Sequence, residues 1–191
     1  MRMQDLFRKM ERGPQIITLK DAAIISAFAG VSPGDLVIDA GAGSGFLAVY
    51  LGNLVRPDGR VVSYEKREDF AAIATRNVRK AGLEKFVTIK TADIFEGIEE
   101  NGADAVTLDM PEPWRAIGPA KAALKEGGTL VSYVPSVEQF RQFVLECEKA
   151  GLRHEKTVEC NVREMIVGER GTRPQTKGLM HTGYLTFVRK P

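Results

Sequence analysis

The chain has 191 residues, 43% of them hydrophobic, and a formal net charge of only +2. That is enough apolar material for one α/β domain with a substantial core. Its two cysteines, Cys147 and Cys160, lack metal-ligand spacing and read as reduced thiols, which excludes a disulfide-built scaffold and leaves no metal site to expect. No apolar run approaches the ~18 residues of a membrane span, and Met1-Arg2-Met3-Gln4-Asp5 has no signal-peptide core, so a cytoplasmic protein away from the membrane is expected.

In chain order, Lys20 to Ala29 reads as a helix, with Ala22, Ala23, Ile24, Ile25 and Phe28 apolar. Ser32-Pro33-Gly34-Asp35 is a turn into a first strand, Leu36 to Asp39. A glycine-rich turn follows, then a helix from about Ser44 to Val55 and the turn Arg56-Pro57-Asp58-Gly59. Arg60 to Glu65 is the second strand. Arg67 to Ala81 is helical, with Gly82 as its natural cap. Val87 to Lys90 and Ala105 to Asp109 are the third and fourth strands. Ala116 to Leu124 is helical, and Gly127-Gly128 turns it into the fifth strand, Thr129 to Val134. Ser136 caps a helix that Gly151 ends. Leu152 to Glu164 and Gly183 to Arg189 read as two long strands, joined by a Gly/Arg/Pro-rich loop with no helix. Alternating strand and helix imply a parallel sheet with helices on both faces. The expected fold is therefore α/β, a seven-stranded mostly parallel sheet with an antiparallel C-terminal hairpin. Residues 1–30 are expected as a basic segment and a helix packed on a domain spanning 31–191, one unit overall.

The segment Asp39-Ala40-Gly41-Ala42-Gly43-Ser44-Gly45 joins a strand to a helix, where glycines let backbone approach a ligand closely. The second strand ends in Glu65, the usual kind of partner for ribose hydroxyls. The loop is D-x-G-x-G-S-G rather than G-x-G-x-x-G. An acid closing the first strand would repel a pyrophosphate and suits a cationic ligand. This combination resembles class I methyltransferases, which have a Rossmann-like fold and bind S-adenosylmethionine. Ligands of such sheets sit at the carboxyl ends of the strands, where Asp39, Glu65, Asp93 and Asp109 fall. Glu65 can accept from both ribose hydroxyls and Asp93 from the cofactor's adenine amino group, although Asp93 also reads as a helix cap. Asp39 can meet the methionine ammonium, directly or through water.

The fourth strand runs into Asp109-Met110-Pro111-Glu112-Pro113-Trp114. Two prolines stiffen the backbone directly after the acid, which can then accept from an exocyclic amino group. Trp114 either stacks on a base or caps the core. This hexapeptide, with Gln15-Ile16-Ile17, Lys20-Asp21-Ala22-Ala23, Arg170-Gly171-Thr172-Arg173-Pro174 and His181-Thr182-Gly183-Tyr184-Leu185, resembles the catalytic domain of the tRNA adenine-N1 methyltransferases, which modify an adenine of the T-loop (the position 58 type). The resemblance implies an S-adenosylmethionine site, a tRNA substrate and a homotetramer. Family members generally carry a further N-terminal β-rich domain; on this reading the chain corresponds to the catalytic domain without it. Thr18 and Leu19 stand where the family often has Tyr-Pro.

The candidate residues are therefore Asp109 and His181 for catalysis, and Asp39, Gly41, Gly43, Ser44, Gly45, Glu65, Asp93 and Asp109 for the cofactor. Trp114, Arg170, Arg173 and Lys177 are the candidates for RNA. His181 either lines the pocket or makes a structural hydrogen bond. Charge is uneven: the two ends, 1–20 and 161–191, hold a net +7 and residues 21–160 a net −5, which suits a polyanion. Two other readings remain: a corrinoid-pathway precorrin methyltransferase/decarboxylase, whose acidic tetrapyrrole basic ends could also serve, and a non-catalytic tRNA-binding subunit.

Overall fold

The computed structural model describes residues 2–13, 15–169, 171–176, 178 and 181–191. Two helices come first, α1 (Met3–Lys9) and α2 (Leu19–Ala29). The alternating region is β1 (Leu36–Ala40), α3 (Phe46–Leu54), β2 (Arg60–Glu65), α4 (Glu68–Ala81), β3 (Val87–Thr91), β4 (Ala103–Asp109), α5 (Ile117–Ala123), β5 (Leu124–Val134) and α6 (Val137–Lys149). The chain then forms β6 (Arg153–Glu159), β7 (Met165–Gly168), β8 (Gly171–Pro174) and β9 (Tyr184–Arg189). Single 3-10 turns at Ile94–Glu96 and Pro113–Ala116 follow β3 and β4.

Seven strands form one sheet in the order β3-β2-β1-β4-β5-β9-β6. β1 to β5 pair in parallel, and β9 pairs antiparallel with both β5 and β6. The sheet order reverses between β1 and β4. There the connections leave β2 and β5 on opposite sides and open a crevice at the strand ends. Side-chain alternation sorts β1 cleanly: Val37 packs with α1–α3 on one face, Ile38 and Ala40 with α5 and α6 on the other. Asp39 shares the face of Val37, and its register partners are Ser63 and Thr107. The N-terminal residues Leu6, Phe7, Met10 and Ile17 belong to the same core as α3, with the Phe7 ring edge-on to Phe46 at 4.9 Å between centroids.

Three features differ from the sequence expectation. The segment 152–164 is not one strand: β6 stops at Glu159, whose partner is Tyr184, the first residue of β9. Beyond it no strand among the described residues continues the pairing, so the chain leaves the sheet, and β7 and β8 form a separate two-stranded ribbon. β5 begins at Leu124 and runs through Gly127-Gly128, because Lys190 exchanges backbone hydrogen bonds with both glycines (2.9 and 3.0 Å). Helix α1 has a short amphipathic pattern that sequence periodicity alone leaves unassigned; burial of Leu6 and Phe7 holds it. No helix among the described residues is long and apolar enough to cross a membrane.

Candidate active site

The loop after β1 is shaped by contacts that admit only glycine. The amides of Gly41 and Ala42 both donate to the Tyr64 carbonyl at 3.0 Å, so the chain folds over the end of β2. Gly41 has φ +83°, and a Cβ there would lie 2.1 Å from the carbonyl oxygen of Asp109. The missing side chain therefore lets the loop touch the end of β4 and places Asp109 beside it. Gly43 donates its amide to Glu65 Oε2 at 2.8 Å, and Glu65 Oε1 accepts from Arg67 N at 3.0 Å. A single carboxylate thus ties the glycine loop to the start of α4.

A strap from the N-terminal segment crosses the same loop. The Gly13 amide donates to the hydroxyl of buried Ser44. Asn77 on α4, fully buried, accepts from Glu11 N and donates to Glu11 O, both at 2.9 Å, and donates to Ser44 O at 2.8 Å. Gly45 opens α3 with φ +77° and packs against Ala74. Ser44 and Gly45 shape the loop from beneath and do not line the crevice.

The crevice itself is a cavity of about 450 Å³. Glu65, Asp93 and Asp109 line it, together with the backbone of Gly41 and Gly43. Tyr64, Phe70, Phe95 and Tyr133 supply apolar walls. Arg67 and Arg115, also among the lining residues, lie over Phe70 and Phe95 at 3.9 and 4.3 Å. Asp93 has two tasks, lining the cavity and accepting from Phe95 N at 3.0 Å as the cap of the 3-10 turn. Burial pushes the Asp109 carboxyl up to about 7, and the nearby charges of Asp39 and Glu65 push the same way.

Asp39 does not reach the cavity. It is 1% exposed, and its carboxylate accepts from Ser63 Oγ at 2.6 Å and Thr107 Oγ1 at 2.7 Å. Desolvation raises its pKa, partly offset by those two bonds. The strand register that pairs Asp39 with Ser63 and Thr107 makes this buried trio, a tie across three strands. Trp114 likewise lies outside the cavity: the 3-10 turn that carries it packs its ring, partly buried, against the core formed with α5 and α6. His181 is exposed and outside the cavity lining, with both ring nitrogens engaged by Glu159 and the Pro135 carbonyl. Arg173 is exposed on β8, and Arg170 and Lys177 lie outside the described residues.

Sequence reasoning missed Tyr133 and Pro135, which line the cavity at the end of β5, and Gln15 and Phe70. The rule that singled out Asp109, proximity to a strand's carboxyl end, applies equally to Tyr133. Its place in the run Val131-Ser132-Tyr133-Val134 gives it no local feature that separates a cavity wall from core. Gln15 carries no such signal, since it reaches the cavity only through the strap.

The donor and acceptor set suits a ligand that brings hydroxyls, an amine and positive charge: acids face inward, and glycine amides leave room for close approach. The comparisons with known proteins agree with this chemistry. A family described as "tRNA methyltransferase complex GCD14 subunit" matches residues 8–172. A tRNA (adenine(57)-N(1)/adenine(58)-N(1))-methyltransferase, TrmI, from Methanocaldococcus jannaschii is 34% identical over 99% of this chain and 76% of its own length. The crystal structure of TrmI from Aquifex aeolicus, a tRNA (m1A58) methyltransferase, superposes with a TM-score of 0.90 at 26% identity, covering 100% of this chain and 76% of that one. A SAM-dependent O-methyltransferase from Thermotoga maritima superposes at 0.92 with 35% identity over 99% of this chain and 71% of that one. A precorrin 8w decarboxylase shares the fold alone, at 18% identity and TM-score 0.80, over 96% of this chain and 98% of that one. The chain is an S-adenosylmethionine-dependent methyltransferase and belongs to the tRNA methyltransferase complex GCD14 subunit family.

Proposed function

We infer that the chain methylates N1 of an adenine in tRNA, of the position 58 type. The observation that carries this reading is Asp109: an acid at the end of β4, in the cavity wall, touching the glycine loop and followed by Pro111 and Pro113. When bound, S-adenosylmethionine supplies a methyl group already activated by its sulfonium charge. Glu65 would accept from its ribose hydroxyls and Asp93 from its adenine amino group, with the Gly41 and Gly43 backbone alongside. Ser44 and Gly45 hold the loop in shape, and Asp39 holds the strands beneath it.

Adenine N1 is a lone-pair nucleophile at neutral pH, so the chain needs no strong base. Methylation makes the base cationic. Asp109, accepting from the exocyclic amino group, opposes that developing charge with a fixed negative one. Its pKa near 7 serves this role, because a positive charge entering the cavity favours the ionised, accepting form. Tyr133, Phe70 and Phe95 restrict water around the reacting groups. The base must leave its stack to enter, which costs a few kcal/mol, least in a loop.

Arg173, with Arg170 and Lys177, is assigned to RNA phosphates, which would steer binding without reading sequence. Trp114 is assigned to support of the Met110–Pro113 turn rather than to base stacking, given its packing against the core. Assembly into a homotetramer belongs to the same reading. Met165 and Val167 of β7 are 54% and 78% exposed, apolar surface that assembly would cover. A cytoplasmic location follows from a tRNA substrate.

The test is incubation with labelled cofactor and unmodified tRNA, followed by nucleoside mass analysis. N1-methyladenosine in the T-loop is the expected product. Label on a carboxyl or hydroxyl acceptor with none on adenine would overturn the reading in favour of O-methyl transfer. Binding of S-adenosylhomocysteine without any transfer would favour a non-catalytic subunit.

A further inference from the structure

His181 lies outside the cavity yet holds its surroundings together. Nδ1 is 2.6 Å from Glu159 Oε1, at the end of β6. Nε2 is 3.0 Å from the carbonyl oxygen of Pro135, which lines the cavity between β5 and α6. Both partners accept: Glu159 is held below the usual carboxylate range, first by its bond to His181, and a peptide carbonyl has no proton to give. A neutral imidazole carries one N–H and can satisfy only one of them. An imidazolium carries two and satisfies both. The Tyr184 ring, 4.9 Å away between centroids, seats the imidazole.

The next two residues repeat the connection. The Thr182 carbonyl accepts from the Tyr133 hydroxyl at 2.6 Å. A Cβ on Gly183 would lie 2.7 Å from Cε2 and Cζ of the same tyrosine, so only glycine lets that ring sit there. Tyr133 lines the cavity and is the register partner of Asp109. Residues 181–183 therefore grip the wall formed by Tyr133 and Pro135 from behind.

We propose that His181 is a positioning residue for methyl transfer: as an imidazolium it clamps Pro135 to Glu159, and the wall beside Asp109 takes its working position only while that clamp is closed. The proposal rests on the methyl-transfer reading of the cavity. Among the described residues, the charged groups facing the ring come from two elements. Glu159 on β6 favours the imidazolium. Lys20 on α2 opposes it, but that ammonium is occupied by buried Asp21 at 2.8 Å, by the Cys160 carbonyl at 2.6 Å and by the Thr182 hydroxyl. β9 contributes the Tyr184 ring. The bonds to Glu159 and Pro135 dominate and raise the His181 pKa above its ordinary 6.5. On deprotonation, the remaining N–H stays on the charge-assisted bond to Glu159, so the hydrogen bond to Pro135 is the one that breaks.

Two measurements test this. Because the chain has two histidines, His154 and His181, ring 15N spectra are assigned with a His154→Gln variant. Below a midpoint that should lie above 6.5 both His181 nitrogens should carry protons, and the 13C shift of the Pro135 carbonyl should follow the His181 titration. A His181 that titrates at or below 6.5, or a Pro135 carbonyl that ignores the titration, would overturn the clamp. Neither signal needs RNA. In the transfer assay, kcat should fall as pH rises through the His181 pKa while the cofactor dissociation constant stays constant. His181→Ala should remove that alkaline limb and lower kcat by about tenfold or more, as for a displaced reacting geometry. His181→Arg, cationic throughout, should restore the rate at high pH. An active enzyme whose alkaline limb survives in His181→Ala would also refute the clamp. A wild-type protein that methylates no tRNA would instead refute the proposed function, and the ring and carbonyl signals alone would then judge the clamp.

Discussion

Asp109 is where fold stability and chemistry oppose one another. Its folded-state pKa of about 7 lies above its ordinary 3.8, so the folded chain keeps a proton that the unfolded chain has released. Asp109 therefore costs stability progressively as pH rises from about 4 through about 7, the reverse of a salt-bridged carboxylate. Asp109→Asn should raise the melting temperature relative to wild type more at pH 8 than at pH 5, with roughly 2–4 °C per kcal/mol for a chain this size. An equal shift at both pH values would mean that Asp109 does not carry the burial and repulsion assigned to it. Asp109→Ala should leave cofactor affinity nearly intact and slow single-turnover transfer at least about a hundredfold, as for loss of one preorganised electrostatic group; a fall below about tenfold would make it structural. Glu65→Ala has the opposite signature. It removes an acceptor from the ligand and from the Gly43 amide together, at roughly 1.5–3 kcal/mol for a charge-assisted bond, so calorimetry should show more than tenfold weaker cofactor binding. An unchanged dissociation constant in a folded variant would remove Glu65 from the site.

Two ties between elements hold the site. The Asp39 trio joins β2, β1 and β4 below the cavity floor, where Asp39→Ala would strand two buried hydroxyls. At about 1–3 kcal/mol for each group left unsatisfied, denaturant midpoints should drop clearly with an unchanged slope. A drop below about 1 kcal/mol would mean that Ser63 and Thr107 find other partners. Asn77 is the second tie, between α4, the strap at Glu11 and the glycine loop at Ser44. Asn77→Ala should speed amide exchange across residues 11–17 while β1 to β5 keep their protection, because local opening follows the bonds removed. Uniform exchange across the chain would instead show that the strap is part of the global fold. These ties also mark what patterning hides. The strand and helix order was legible because periodicity and Gly/Pro turns are local signals, whereas the ending of β6 at Glu159 depends on where β9 begins, a partner 25 positions along the chain.

Across the whole molecule, charge is uneven along the chain: the ends are basic, and Glu65, Asp93 and Asp109 lie at strand ends lining the cavity. Basic ends of this kind suit a polyanion, and the strand-end acids suit a cationic ligand. Replacing Arg170, Arg173 and Lys177 together with Gln should weaken tRNA binding and lower the salt-dependence slope by about 0.7 to 0.9 for each phosphate no longer neutralised, leaving cofactor binding unchanged. The same affinity and slope in the triple variant would show these cations to be a solvated surface.

The sequence by itself determined the parallel α/β fold, the glycine loop after β1 and the acids at the strand ends, because each is written in neighbouring residues whose spacing is set by backbone geometry. It also supplied the family, through the D-x-P-x-P-W and T-R-P…H-T-G-Y-L segments. Only the tertiary structure decided which of those residues face the cavity. Asp39 and Asp109 look alike as strand-end acids. Register gives Asp39 two hydroxyls and buries it, while Asp109 lies just past Leu108, where the pairing of β4 with β1 ends, and opens onto the cavity. Tyr133, Pro135 and His181 became a single device only when β9 folded back antiparallel beside β5, bringing together residues nearly fifty positions apart whose hydrogen-bond partners no local pattern could name.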